Sequence, residues 1–207
     1  MRNAIIFDLG GVIERINPKQ VAQEFRALGM SDPSQFFSLY GQSDICSDFE
    51  TGKIQESQFV DHLKTVCSPG ISSETVIQAW CTNLCGVPAE TITVLKTLRE
   101  NGFRLFVLSN TNPIHAREIE TRFNKVHDIN FHSMFEKVYY SFEVGLRKPD
   151  DAIYQHVLND AKLNPELCVY IDDLEVNLKS PERLGLRCVH HQTNASIDNL
   201  HAWSTHE

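Results

Sequence analysis

The chain has 207 residues, 42% hydrophobic and 22% charged. This is ordinary globular composition, enough for one good-sized core or a core with a small insertion, and it excludes a disordered or collagen-like chain. The formal charge of −8, from 19 basic and 27 acidic residues with His neutral, disfavours nucleic acid and anionic membranes as partners and confines any anion site to local donors.

The first predicted element is a strand. Ala4-Ile5-Ile6-Phe7 is a continuous apolar run that stops at Asp8-Leu9-Gly10-Gly11, the pattern of a strand buried on both faces that ends in a glycine turn. A long stretch follows, roughly Asn17 to Pro88, with helical spacing at Val21, Phe25 and Leu28, at Phe59, Leu63 and Val66, and at Val76, Trp80 and Leu84. A crossover between parallel strands needs only about a dozen residues, so residues 17–87 read as an inserted helical cap and residues 1–16 with 88–207 as the core domain.

The core then resumes. A helix over Thr91 to Glu100 places Ile92, Leu95 and Leu98 on one face and stops at Asn101-Gly102. A second strand, Phe103 to Leu108, ends in Ser109-Asn110-Thr111-Asn112-Pro113. Shorter runs at Lys137 to Ser141 and Arg187 to His190 read as further strands, and Leu167 to Ile171 as another that ends in Asp172-Asp173. A helix over Asp150 to Ala161 lies between, with Pro149 before it. Strands alternating with helices predict an α/β fold with a doubly wound, mostly parallel sheet, whose binding crevice lies beyond the carboxyl ends of the strands. Pro181 falls inside the helix expected after Asp172-Asp173 and should kink or restart it. The tail, His191 to Glu207, reads as polar and partly disordered.

No apolar run approaches the roughly 18–20 residues of a membrane-spanning helix. Met1 to Ile13 meets Asp8 with no small-residue cleavage site after it, so it does not read as a signal peptide. Cys46, Cys67, Cys81, Cys85, Cys168 and Cys188 form no CxxC pair, and no histidines fall at ligand spacing beside them. Reduced thiols in a cytoplasmic protein, without structural zinc, are expected.

The chemistry lies at the strand ends. Asp8, Ser109, Lys148 and Asp172-Asp173 each follow an apolar strand, in that order. Singly, such residues are turn, cap or surface residues. Jointly they converge on one crevice. Three carboxylates packed together repel, and a divalent cation removes that penalty; all-oxygen ligands suit Mg²⁺, which keeps waters and a substrate phosphate in its shell. Asp8 is then free to attack phosphorus while Lys148 neutralises the transferring phosphoryl group and Ser109 holds its oxygens.

These motifs resemble those of the haloacid-dehalogenase-like (HAD) hydrolases. Phe7-Asp8-Leu9-Gly10-Gly11-Val12-Ile13 is similar to the first family motif, Ser109 in Val107-Leu108-Ser109-Asn110 to the second, and Lys148 in Arg147-Lys148-Pro149-Asp150 to the third. Asp172-Asp173 with Asn177 resembles the fourth. Ser109-Asn110-Thr111-Asn112 with His115, Gly145-x-Arg147-Lys148-Pro149 with Ile153-Tyr154, and Phe49-Glu50-Thr51-Gly52-Lys53-Ile54 with Phe59 look like the branch that contains bacterial α-D-glucose-1-phosphate phosphatase.

The resemblance implies a Rossmann-like core and a magnesium-dependent phosphatase acting on a sugar phosphate such as a hexose-1-phosphate. It implies Asp8 as nucleophile, Ser109 and Lys148 as catalytic partners, and Ser109, Asn110, Gly11 and Lys148 around the phosphate. Asp8, the Gly10 carbonyl, Asp172 and Asp173 are implied around the metal. Asp44, Asp48, Phe49 and Lys53 are cap candidates by the same analogy. A small-molecule phosphate ester is the expected partner, and a monomer or weak oligomer the expected state.

Three departures from the wider family stand out. Gly10 occupies the position of the usual acid–base aspartate, and its surroundings are expected to suit Gly only. Glu14 and His115 are conceivable substitutes, with Glu14 expected in solvent and His115 expected to cap or pack. Asn177 stands where relatives place an acid, and is expected to bond a metal-bound water. The rival readings are a metal-independent 2-haloacid dehalogenase and a non-catalytic binding protein on the same fold.

Overall fold

A computed structural model describes residues 3–36 and 44–200. Five parallel strands form the central sheet: β1 (Ala4–Phe7), β4 (Arg104–Ser109), β5 (Lys137–Tyr140), β6 (Cys168–Asp172) and β7 (Arg187–His190). Their order is β5-β4-β1-β6-β7, which puts the first strand at the centre. A two-stranded antiparallel ribbon, β2 (Arg15–Ile16) with β3 (Leu84–Gly86), stands apart from the sheet.

The period of two in a strand sorts side chains between the faces. Ile5, Phe7, Leu105, Val107, Val169 and Ile171 enter one apolar cluster, and Ala4, Ile6, Phe106, Leu108, Cys168 and Tyr170 enter the other. Burial of such a side chain contributes about 1.5–3 kcal/mol, and two-sided burial is why these strands read as unbroken apolar runs.

The helices, in chain order, are α1 (Pro18–Ala27), α2 (Pro33–Phe36), α3 (Asp44–Glu50), α4 (Glu56–Thr65), α5 (Ser73–Trp80), α6 (Ala89–Glu100), α7 (Pro113–His127), α8 (Ser141–Val144), α9 (Asp151–Asp160) and α10 (Lys179–Arg183). Helices α6 and α7 cover the first face, with Leu95 and Ile119 in its cluster, and α9 covers the second with Ile153 and Val157. Phe25 of α1, Phe59 of α4 and Val76 of α5 join the first cluster, so the inserted helices share one apolar core with that face. At Gly52, between α3 and α4, a Cβ would lie 2.3 Å from the Phe142 carbonyl oxygen of α8, and φ is +69°. The chain there needs Gly because backbone meets backbone.

Leu84 lies in β3, not at the end of a helix. The stretch after Pro113 forms α7, whose start is capped by the Asn112 side chain accepting the His115 N–H at 3.1 Å. The helix after β6 does restart at Pro181: a 3-10 turn over Glu175–Asn177 precedes α10, where Pro181 sits in the first turn. The tail is built into the fold as far as residue 200. His191 is buried, and Ile197 is 1% exposed in the first cluster. Residues 201–207 lie outside the described residues. All six cysteines are free, and among the described residues no helix is long and apolar enough to cross a membrane.

Candidate active site

The carboxyl end of β1 is the switch point of the sheet, because β4 and β5 are laid down on one side of it and β6 and β7 on the other. A crevice is expected there. The cavity that opens at this end has a volume of about 360 Å³ and is lined by Asp8, Ser109, Asn110, Lys148 and Asp173. The predicted set is therefore brought together, although its members are up to 165 residues apart (from Asp8 to Asp173).

Lys148 is the hub. Its ammonium is 2% exposed and lies 2.8 Å from Asp8 Oδ1, 2.7 Å from Asp172 Oδ2 and 3.1 Å from the Leu108 carbonyl. Its backbone is clamped by Asn110: the Asn110 Nδ2 donates to the Lys148 carbonyl at 2.9 Å, and the Lys148 N–H donates to Asn110 Oδ1 at 2.9 Å. The Asn110 side chain, expected at the phosphate, is thus given over to placing Lys148.

Asp8 accepts the Leu9 N–H at 2.7 Å on Oδ1, the oxygen that also meets Lys148. Burial pushes its carboxyl up to about 7; Lys148 opposes the rise, while Asp172 and Asp173 add to it. Burial alone would lower the Lys148 ammonium, yet the Asp172 and Asp8 carboxylates hold it above its usual range. Asp173 is also raised, first by burial, despite the Thr193 hydroxyl 2.8 Å from its Oδ2.

Asp172 is fully buried, and its oxygens take donors from Lys148, Tyr170, the Leu174 N–H and Asn177. The Asn177 Nδ2 donates to Asp172 at 3.0 and 3.2 Å. A carboxylate at position 177 would have faced Asp172 as a like charge; the amide supplies a donor.

Gly11, expected at the phosphate, donates its N–H to the Glu14 carbonyl at 2.8 Å. The position needs Gly for another reason. Its φ is +80°, and a Cβ would stand 2.3 Å from Asp173 Oδ2. Gly11→Ala is therefore expected to displace Asp173, costing about 1–3 kcal/mol of stability and weakening magnesium affinity. Calorimetric magnesium titration checks this, and an unchanged affinity would reject it. At Gly10 a Cβ would meet only the Ile16 side chain, Cγ2 at 3.6 Å and Cδ1 at 4.0 Å, which is ordinary contact. The backbone there has room for a Cβ.

Glu14 is not in solvent. It is 2% exposed, its Oε1 accepts the Gly86 N–H at 2.6 Å, and burial pushes it up to about 7. It ties the β2–β3 ribbon to the turn after Asp8. His115 packs as expected. Its ring stacks on Trp80 at 4.7 Å with Nε2 3.0 Å from the Trp80 carbonyl, so Nε2 carries the hydrogen.

Burial pushes the His115 pKa from 6.5 down to about 4. The folded value lies below the unfolded one, so this contribution to stability is complete above about 6.5 and is lost as pH falls towards about 4. The melting temperature is expected to drop across that window, less so in His115→Gln. Equal slopes in pH-dependent melts of the two proteins would count against it.

Sequence reasoning missed the loop after β7. Besides Thr193 on Asp173, Asn194 donates its N–H to the Gly11 carbonyl at 2.7 Å and pairs with the Ile16 backbone through both amide atoms at 2.8 Å. The available signal was the position itself, at the carboxyl end of a parallel strand. Of the cap candidates, Phe49 is buried at 1% exposure against Phe59, and Lys53 pairs with Asp48 at 3.3 Å at the surface. The Asp44 side chain lies outside the described residues.

Oxygen atoms of Asp8, Asp172 and Asp173 lie within 4.8 Å of one another. Three carboxylates against one lysine leave two uncompensated negative charges in a buried site, and the donors are all hard oxygens. The set fits Mg²⁺.

Comparisons with known proteins agree with this geometry. A family model described as haloacid dehalogenase-like hydrolase matches residues 3–185. The chain is 27% identical over 186 residues to a D-ribitol-5-phosphate phosphatase of Bacteroides thetaiotaomicron, covering 87% of each. It is 26% identical over 190 residues to the sesquiterpene phosphatase astK of Aspergillus oryzae, covering 90% of this chain and 88% of that one. A HAD family enzyme of Bacteroides thetaiotaomicron, crystallised with magnesium and inorganic phosphate, matches at a TM-score of 0.89 and 27% identity over 97% of this chain and 99% of that chain. The protein belongs to the haloacid dehalogenase-like hydrolase family.

Proposed function

We propose that this protein, a phosphatase of that family, hydrolyses small phosphorylated sugars or polyols in the cytoplasm through a phosphoaspartate on Asp8. The observation that carries the reading is the Lys148 ammonium held between Asp8 at 2.8 Å and Asp172 at 2.7 Å, beside Asp173, in a buried crevice. In this reading residues 17–87 act as a helical cap on a core of 1–16 and 88–207. Support comes from Val21, Glu50 and Trp80, which line the same cavity as Asp8.

Asp8 Oδ2 attacks phosphorus, since Oδ1 is engaged by Leu9 and Lys148; the bond from phosphorus to the ester oxygen breaks, the alcohol leaves with a proton from solvent, and water then cleaves the acyl phosphate to release inorganic phosphate and restore Asp8. Lys148 offsets negative charge on the transferring group, and the Ser109 hydroxyl at the end of β4 holds one of its oxygens. Asp8 and Asp173 at the cavity, Asp172 behind them and the Gly10 carbonyl would hold Mg²⁺. When bound, the ion adds positive charge at the phosphoryl oxygens and relieves repulsion among the carboxylates.

No side chain at Gly10 can protonate the leaving group. Glu14 is spent on Gly86, and His115 on Trp80. General acid catalysis is typically worth ~10²–10⁴-fold, so its loss is least costly for good leaving groups. An anomeric sugar oxygen is one, which favours a sugar-1-phosphate. The test is phosphate release from a panel of sugar and polyol phosphates with and without magnesium. Magnesium-dependent release, strongest on a sugar phosphate, is expected; equal release in excess chelator would overturn the reading. Turnover of 2-haloacids without metal would favour the dehalogenase alternative, and no turnover at all the non-catalytic one.

A further inference from the structure

The segment after β7 reaches the crevice from outside the four motifs, and Asn194 anchors it. The Asn194 backbone lies in the left-handed region, with φ +62°. Asn adopts that conformation more readily than most residues, and it persists where the surrounding contacts demand it. Three such contacts exist. The Asn194 N–H donates to the Gly11 carbonyl at 2.7 Å, and the side-chain amide exchanges two bonds of 2.8 Å with the Ile16 backbone. Asn194 is thereby pinned to the turn that follows Asp8 and to β2.

The anchor places its neighbour. Thr193 lines the cavity, and its hydroxyl donates to Asp173 Oδ2 at 2.8 Å. A Cβ at Gly11 would lie 2.3 Å from that oxygen and 3.2 Å from Thr193 Cγ2, so the bare Gly11 backbone leaves the room in which the two side chains meet. The main chain of the acidic pair is held separately, from β7: the His191 N–H donates to the Asp172 carbonyl at 2.9 Å, and His190 Nε2 lies 3.0 Å from the Asp173 carbonyl.

The three carboxylates of the site differ in how firmly they are oriented. Asp172 takes donors from Lys148, Tyr170, the Leu174 N–H and Asn177. Asp8 takes the Leu9 N–H and Lys148. Among the described residues, Thr193 is the only side chain that donates to the Asp173 carboxylate. Without that hydroxyl, the Asp173 side chain is free to turn on its fixed backbone.

We propose that Thr193 is a positioning residue for the metal centre: its hydroxyl, carried by the Asn194 clamp, holds the Asp173 carboxylate ready for Mg²⁺. This rests on the magnesium-dependent reading above. Mg²⁺ demands near-ideal octahedral geometry, so a ligand that must first be ordered costs affinity. Losing a partner that orients a metal ligand typically costs ~10–100-fold in affinity. Thr193 is exposed, so water competes for its place, and the expected effect is at the lower end, about tenfold.

The test is calorimetric titration of magnesium chloride into wild type, Thr193→Val and Thr193→Ser, below their melting temperatures. Thr193→Val keeps the shape and removes the donor; at an exposed position it is expected to fold. It should bind magnesium about tenfold more weakly than the wild type. Thr193→Ser, which restores the hydroxyl, should retain most of the affinity. A structural role of the Thr193 methyl group would give the reverse order. Thr193→Val with the wild-type affinity, or Thr193→Ser as weak as Thr193→Val, overturns the proposal and leaves the magnesium-dependent reading intact. A wild type that binds no magnesium removes the metal centre itself and this proposal with it.

Discussion

Asp8→Asn should lose at least about 10⁴-fold in phosphate release and keep its fold. The rate term follows from the nucleophile itself: an amide cannot form the acyl phosphate, and removal of a covalent nucleophile costs on this order or more. The stability term has the opposite sign to a usual core substitution. The Asp8 carboxyl is pushed up to about 7, chiefly by burial and further by Asp172 and Asp173, so its ionised form is a burden on the folded, ion-free protein. The folded value lies above the ordinary 3.8. This group's contribution is therefore complete below about 3.8 and is lost as pH rises through about 7. A neutral amide of the same shape does not titrate there, and Lys148 keeps Asp172 and the Leu108 carbonyl as partners. At pH 8 with chelator, the melting temperature of Asp8→Asn should equal or exceed that of the wild type. Activity within tenfold of the wild type would sink the nucleophile assignment.

Lys148→Met carries the largest expected loss of stability. The ammonium is 2% exposed and is the basic partner of both Asp8 and Asp172. Its removal strands two buried carboxylates, and breaking a buried pair from one side costs about 3–5 kcal/mol. Much of that cost is the unpaired charge rather than the lost attraction. Adding Asp172→Asn to Lys148→Met should therefore restore part of the stability, a coupling that urea denaturation of the single and double variants measures. Phosphate release should fall on the order of 10²–10³-fold, as for the loss of one preorganised charge donor. A single variant as stable as the wild type would show that Lys148 is not the electrostatic hub.

The strands β1, β4 and β6 were legible because two-sided burial writes itself as apolar runs, and each run ended on a polar residue that the structure places at one crevice. The β2–β3 ribbon was not legible. Two- and three-residue strands are too short for a period to show, and Leu84 continued the helical spacing of Val76 and Trp80. Glu14 was misplaced for a related reason. A carboxylate next to Arg15 looks solvated until the ribbon brings the Gly86 N–H to it. Thr193 and Asn194 lay in a polar stretch without periodicity, and only the chain's return beside β1 gives them partners.

By itself the sequence determined the parallel α/β core, the order of the polar strand-end motifs and the absence of a side chain at Gly10. These depend on residue type and local period, which are written along the chain. Tertiary structure alone decided that Asn110 clamps Lys148, that Asn177 serves Asp172 and that the Gly11 N–H goes to Glu14. The physical reason is that a donor and its acceptor are chosen by distance in space, and residues far apart in the chain carry no local mark of the partner that folding brings to them.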